Sequence, residues 1–488
     1  MDENRLRFNL PITRRSFLRA TGAASAAGIV GLSLSRITPA AAGDVIAYDR
    51  GWRFDRNGWI YLHIEGDAAT RGFQHGHLLA KELAEIKRSL VYLTYRNTGK
   101  TWDFFVEAGK ALFTPRIERE YLDEMRGISE GARAAGVELT LDEVITLNGY
   151  DELVGYWWPT VAEKYRYVSR VYPDKDHCSA FIATGSMTTD RSIVIAHNSW
   201  DEFTSGQFVN VVMDLVPATG NRILMQSAPG WIDSFTDFFV TEAGIVGTET
   251  TIGGFSLYEE NEVPEFVRIR RAMQYGKTLD DYVDFMAKKN SGGYANSWLL
   301  GDINTGEIMR YELGLHIKSV QRTTDGSYVG FNAPVDPALR NLECADTGYD
   351  DIRKPAGARR VRLTQLMEEN RGKIDVERAK KILADHYDVY LKKDNPSLRT
   401  VEGHYELDPM YYTEFRLPYQ PRGAVDGKVT DSALAAKLSF WGRWGNSSGM
   451  AFDADAFLEE HPQWDYLAGY LKDRPSQPWT LFAAGQKP

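Results

Sequence analysis

The chain has 488 residues, 43% of them hydrophobic and 25% charged, with a formal net charge of −10 at pH 7. That composition supports a sizeable core, and no tract past the N-terminus has a disordered or low-complexity character. The acidic balance argues against nucleic acid as a partner and against electrostatic docking on anionic lipid.

Arg14-Arg15-Ser16-Phe17-Leu18-Arg19 is a twin-arginine string, followed by a weakly apolar Ala/Gly run and a small-residue site at Ala40-Ala41-Ala42. Residues 1–42 therefore read as an export signal, too short and Gly-rich for a membrane span. The expectation is a periplasmic or secreted protein, folded before translocation, with no transmembrane span in the mature chain. Removing the signal's six Lys/Arg and two Asp/Glu takes the net charge to −14.

Trp59 to Ile64 alternates like a strand, and helical patterns run through 72–93, 101–113, 116–135 and 140–151. Residues 43–177 thus form a mainly helical N-terminal segment. From Cys178 the pattern changes to strands at 178–184, 191–197, 207–215, 222–227, 236–241, 244–251, 295–302, 306–313 and 327–332, interrupted by helix near 264–289. Gly301 to Gly306 reads as a hairpin turn. Helix returns near 356–395, ahead of an aromatic, Gly-rich tail. Strands enclosed by helices predict an α+β fold of sheets covered by helical layers.

Cys178 is one of two cysteines and stands where a polar stretch gives way to an apolar strand. A hairpin centred near 187–188 pairs positions whose numbers sum to about 375, which sets Cys178 beside His197 or Asn198. A thiol in that setting suits nucleophilic catalysis, and it suits a cysteine that becomes a new N-terminus when the chain cuts itself. A freed α-amine has a pKa near 7.7–8.0, so it can take the thiol's proton and return it to a leaving group. The cut falls between His177 and Cys178. Asn332, Asn296, Thr250 and Thr251 lie at strand ends and can supply polar groups to the reacting carbonyl. Trp200 and Trp298 can line an apolar acyl pocket.

Plainer readings stand beside these. Cys178 and Cys344 can form a disulfide in an exported protein. A strand-end Asn or Thr is usually a turn or cap residue, a lone His usually structural, and a Trp at these spacings is as often plain core. His75-Gly76-His77 is no metal signal, since rings two apart on a helix diverge. Glu377 and Asp385-His386 read as the solvated face of a helix.

Several strings resemble the phospholipase B-like family of the N-terminal-nucleophile (Ntn) hydrolase superfamily. They are Cys178-Ser179-Ala180 with His197-Asn198-Ser199-Trp200, Ser234 to Phe239, Gly244 to Ile252, Tyr294 to Trp298, Phe331-Asn332-Ala333-Pro334, and Gly423 to Thr430. The resemblance implies a four-layer αββα sandwich over residues 178–488 and self-cleavage before Cys178. It further implies hydrolysis of amide or ester bonds in an acylated or lipid-like substrate. By carry-over Cys178 is the nucleophile, His197 sits where related cysteine amidases use an arginine, and Asn332 takes an oxyanion-stabilising position. Whether Trp200 or Asp201 matches those amidases' aspartate stays open. No metal or organic cofactor is expected, and the 43–177 fragment is expected to stay bound to the core. The alternatives are an exported lipid- or glycan-binding protein without turnover, or an acyltransferase sharing the same acyl-enzyme step.

Overall fold

The computed structural model describes residues 44–165, 178–235, 238–410 and 417–488. The twin-arginine string, the Ala40–Ala42 site and His177 lie outside the described residues.

The N-terminal segment opens with three strands, the expected one from Trp59 to Ile64 and two before it. β1 (Ile46–Tyr48), β2 (Gly51–Arg56) and β3 (Trp59–Gly66) form an antiparallel meander. Asn57 and Gly58 both have positive φ, the backbone that a two-residue hairpin turn demands. Helices α1 (Ala68–Leu78), α2 (Ala80–Thr98), α3 (Trp102–Phe113), α4 (Arg119–Ala134) and α5 (Leu141–Asn148) follow. The Asp67 side chain accepts from Thr70 N at the start of α1, and Thr140 with Glu143 makes a capping box on α5.

Two pairs of glycines fix how α1 crosses α4. A Cβ added to Gly72 or Gly76 would lie 2.0 Å from a carbonyl oxygen of α4, and one on Gly127 or Gly131 would lie 2.4 or 2.1 Å from one of α1. Only glycine lets the two backbones approach this closely. Across that crossing Glu124 accepts from Arg71 (2.7 Å) and from Arg270 (3.0 and 3.1 Å), all three buried. Burial pushes the Glu124 carboxyl up, and the two guanidinium charges overcome it and hold it below its ordinary value.

The remaining strands are β4 (Cys178–Thr184), β5 (Val194–Glu202), β6 (Val211–Pro217), β7 (Ile223–Ser227), β8 (Phe239–Thr241) and β9 (Ile245–Thr251). After them come β10 (Asn296–Asp302), β11 (Glu307–Leu313), β12 (Lys318–Thr323) and β13 (Gly326–Gly330). A small ribbon, β14 (Tyr387–Asp388) with β15 (Lys393–Asp394), precedes β16 (Arg422–Ala424), β17 (Asp426–Asp431), β18 (Ser439–Trp444) and β19 (Thr480–Ala483). Among the described residues two sheets dominate. One runs β1-β2-β3-β6-β7-β8-β9-β10-β11-β12, and the other β13-β4-β5-β17-β18-β19 with β16 beside β5.

The central strands of both sheets are buried on both faces because each sheet is covered twice. Ala180, Ile182, Ile195, Val246 and Leu299 fill the space between the sheets. On the far side of the larger sheet Met213, Met225 and Trp298 pack with Ile269 and Met273 of the helix Glu265–Tyr275. Behind the smaller sheet, Phe181, Val194 and Val429 pack with Leu363 and Ile382 of the helices Pro355–Glu369 and Val376–Leu383. The expected αββα sandwich is borne out. One difference bears on the N-terminal segment: β3 lies parallel to β6, so this mainly helical segment also supplies strands to the larger sheet.

Candidate active site

Cys178 opens β4 and is 2% exposed. Opposite it in β5 stands Ser199, with Ser179 opposite Asn198 and Ala180 opposite His197. The pairs sum to 377, not about 375, because β5 begins only at Val194, after a longer connection than the residue pattern suggests. His197 therefore sits one diagonal step from Cys178 on the same face, not directly opposite. The imidazole stays close all the same: the thiol, a His197 ring nitrogen and a Glu249 carboxylate oxygen lie within 4.8 Å of one another.

The two polar groups of Cys178 have separate acceptors. Its Sγ donates to Glu249 Oε1 at 3.7 Å, and its backbone N–H donates to Asn332 Oδ1 at 3.2 Å. The second contact follows from the register. Gly330 pairs with Ala180, so the next partner due opposite Cys178 is Asn332. Asn332 has φ +66 and turns the backbone away, leaving its side-chain oxygen in the place of a ladder carbonyl. Asparagine tolerates that conformation better than most residues.

Three contacts fix which way the Asn332 amide points. Arg359 Nη2 donates to Oδ1 at 2.8 Å, and Asn332 Nδ2 donates to the Thr251 carbonyl at 2.8 Å. A flipped amide would set its NH2 against both a guanidinium and a backbone N–H. Arg359 also donates to the Cys178 carbonyl and to Ser179 Oγ, and its guanidinium lies over the Trp200 ring, 4.0 Å from the centroid.

Glu249 also accepts from Tyr294 Oη at 3.2 Å and from Thr251 Oγ1 at 3.4 Å. Tyr294 has φ +53, a costly backbone for a bulky residue and one that gathers at functional sites. Burial raises the Glu249 carboxyl to about 8, with these donors and Lys428 opposing. The Cys178 thiol is raised well above its ordinary value, by burial and then by the Glu249 charge, while Lys428 pulls it down. His197 is pushed well below its ordinary value by burial and by Lys428, so its ring is neutral. Lys428, opposite His197 in β17, pairs with Asp426 at 2.6 Å and donates to Ser199 Oγ and Gln226 Oε1. The site thus holds a buried cation, a poised acid and a neutral imidazole around one thiol.

Among the residues expected at the site, Cys178, His197, Asn332 and Thr251 come together. Asn296 pairs with Thr251, and neither atom of its buried amide has a hydrogen-bond partner. The Thr250 hydroxyl is likewise buried and unpaired, close against Gly330. Trp298 goes elsewhere, into the helix-covered outer core. Trp200 borders the site: its ring packs with Leu398, Tyr405 and Met410 beneath the Arg359 guanidinium, and its backbone hydrogen-bonds Cys178. Asp201 is half-buried, and desolvation with the Asp151 charge raises it to about 7. Both cysteines are free thiols, so the Cys178–Cys344 disulfide does not form.

Glu249, Lys428, Asp426, Tyr294 and Arg359 carry no role in the sequence analysis, although the first four lie in strings that carry the resemblance. For Glu249 a signal existed: a carboxylate inside a strand of otherwise uncharged residues is rarely buried without a purpose. Arg359 carried none, since only the fold brings its helix to Cys178. Cys178, His197 and Glu249 have metal-ligand types, as do His386, Glu402 and His404 on the opposite side of the smaller sheet.

The family described as "Phospholipase B" matches residues 118–317. A protein of Archaeoglobus fulgidus described as "Uncharacterized protein" is 23% identical over 418 residues, 75% of this chain and 67% of its own. A phospholipase B of Crotalus adamanteus is 26% identical, covering 56% of this chain, and human phospholipase B-like 1 is 25% identical, covering 36%. The alignments span 52% of the snake protein and 33% of the human one. A conjugated bile acid hydrolase of Clostridium perfringens aligns in structure with a TM-score of 0.33 and 9% identity, over 55% of this chain and 89% of its own.

Proposed function

Taking the chain as one of the phospholipase B-like proteins of the Ntn-hydrolase superfamily, we propose that it is a self-processing N-terminal-cysteine hydrolase acting on amide or ester bonds of an acylated, lipid-like substrate. The observation that carries this reading is the separate acceptor given to each polar group of Cys178, Glu249 for the thiol and Asn332 Oδ1 for the backbone nitrogen.

In self-cleavage Glu249 takes the thiol proton and the thiolate attacks the carbonyl of His177. The peptide C–N bond breaks, a thioester forms, and the proton passes to the Cys178 nitrogen. Water then hydrolyses the thioester, releasing a new carboxylate and restoring the thiol. In turnover the freed α-amine, held by Asn332 Oδ1, takes the thiol proton and hands it to the leaving amine or alcohol. Water completes the cycle by hydrolysing the acyl-enzyme. Asn332's own NH2 is committed to Thr251, so the unpaired Asn296 amide, on the same face as Thr251 and Glu249, is the better candidate for stabilising the oxyanion. His197 stays neutral beside the thiol. Export under the twin-arginine string and retention of the 43–177 fragment belong to the same reading.

The test is a denaturing gel with intact mass on chains expressed from residue 43. Wild type is expected as two chains divided between His177 and Cys178, with Cys178→Ala remaining whole. The wild-type pair, and not the mutant, should then turn over acyl amides or esters. A wild-type chain that stays whole would sink the proposal.

A further inference from the structure

A second cluster lies outside the thiol site. The His386 and His404 Nε2 atoms are 3.2 Å apart, and Glu402 Oε2 is 2.7 Å from the first and 3.2 Å from the second. Four ligands held tetrahedrally at about 2.0–2.1 Å stand about 3.3 Å from one another. Three convergent atoms at 2.7–3.2 Å are therefore already close to one face of such a tetrahedron.

The surroundings aim these atoms at a common point. His404 Nδ1 is 2.8 Å from Glu406 Oε1, the outer carboxylate that orients a metal-binding imidazole and leaves Nε2 free to ligate. The other oxygen of Glu402 accepts from Ser448 N at 2.8 Å, so Oε2 alone faces the two rings. Arg443, the nearby cation, donates to the Gln477 and Ser447 carbonyls. Glu402 and His404 are buried, while the His386 side chain is 14% exposed, which leaves a solvent-side path for an ion and a fourth, water ligand.

We propose that His386, Glu402 and His404 form a binding site for a divalent transition metal, with zinc the ion that best fits two imidazoles, one carboxylate and a tetrahedral frame. Its role is to clip the chain. The helix ending at Leu383 gives way to a segment, Ala384 to Pro421, whose described part holds only the short β14–β15 ribbon. The ligands close a loop over half of it. That loop lies against β5, where Asn198 Nδ2 donates to the carbonyls of Leu383 and Val401. An ion here would brace the back of the strand that carries His197 and Ser199.

The experiment uses the chain from residue 43, as wild type and as Cys178→Ala, which deletes the other cluster's thiol. Each is stripped with chelator and titrated with Co²⁺, then with Zn²⁺. Expected are one Co²⁺ per molecule in both, the visible bands of four-coordinate cobalt, displacement by Zn²⁺, and a melting temperature raised by Zn²⁺. His386→Ala, at the solvent edge where folding should survive, is expected to weaken Co²⁺ at least about a hundredfold. Glu406→Gln should weaken it about 10–100-fold. Absence of bound cobalt would overturn the proposal. So would cobalt bands that persist in His386→Ala, or that vanish in Cys178→Ala.

Discussion

Asn332 holds the Cys178 nitrogen through an oxygen that it shares with the Arg359 guanidinium. Asn332→Ala would remove one of several acceptors of the buried Arg359 guanidinium and the acceptor of the buried Cys178 N–H, a loss of about 1–3 kcal/mol. Chemical denaturation should read that loss. Self-cleavage should slow by about 10²–10³, the scale for removing one preorganised hydrogen-bonding group. Glu249 makes a second prediction. As proton acceptor it must be ionised, and burial sets its carboxyl at about 8. The wild-type cleavage rate should therefore climb as pH rises through that value, and Glu249→Gln should be slow and without that climb. A mutant that keeps the wild-type profile in rapid-quench assays would remove Glu249 from the mechanism. A stability effect follows with a defined sign. A carboxyl raised above its unfolded value favours folding while protonated, so its contribution fades as pH rises from its ordinary value through about 8. At this scale Cys178, His197 and Asn332 were legible because a thiol at a strand start and polar residues at strand ends stand out against apolar runs. Arg359 was not, because nothing local distinguishes it from other arginines on a charged helix.

Strands 178–184, 245–251 and 296–302 were legible almost to the residue, since each is a short apolar run bounded by turn formers. The edges of the sandwich were not. β12 is partly exposed and polar, and β17 and β18 mix charged and Gly residues, so none of them shows a clean period of two. Lys428 is the clearest case: a lysine in a strand reads as solvent-facing, yet a partner carboxylate, Asp426, lets it be buried. The α1–α4 crossing was hidden too, because glycines spaced four apart look like weak helix until two such helices meet. There the close contact is with rigid backbone, which cannot move aside as a flexible side chain can. Gly131→Ala should therefore cost about 1–3 kcal/mol or more and lower the melting temperature by several degrees in calorimetry. A thermally silent substitution would show that the helices can part without penalty.

Over the whole molecule, the proposed cut before Cys178 would leave two chains sharing one sheet. β3 hydrogen-bonds along β6 from Ile60 to Gly66, and Arg270 of the later chain reaches Glu124 of the earlier one. The processed protein should therefore elute as one particle in size-exclusion chromatography, with both chains present by mass. No helix among the described residues is long and apolar enough to cross a membrane.

That shared ladder changes the order of the folding reaction. The whole precursor folds as a unimolecular process, indifferent to dilution. Once cut, the same fold must be regained by two molecules finding each other, so its midpoint should fall as the sample is diluted. Cys178→Ala should melt at one temperature across a hundredfold range of concentration, and the processed protein should not. Self-cleavage would then act as a ratchet: the molecule reaches its form easily once, and recovers it afterwards only in proportion to how much of its partner fragment remains nearby.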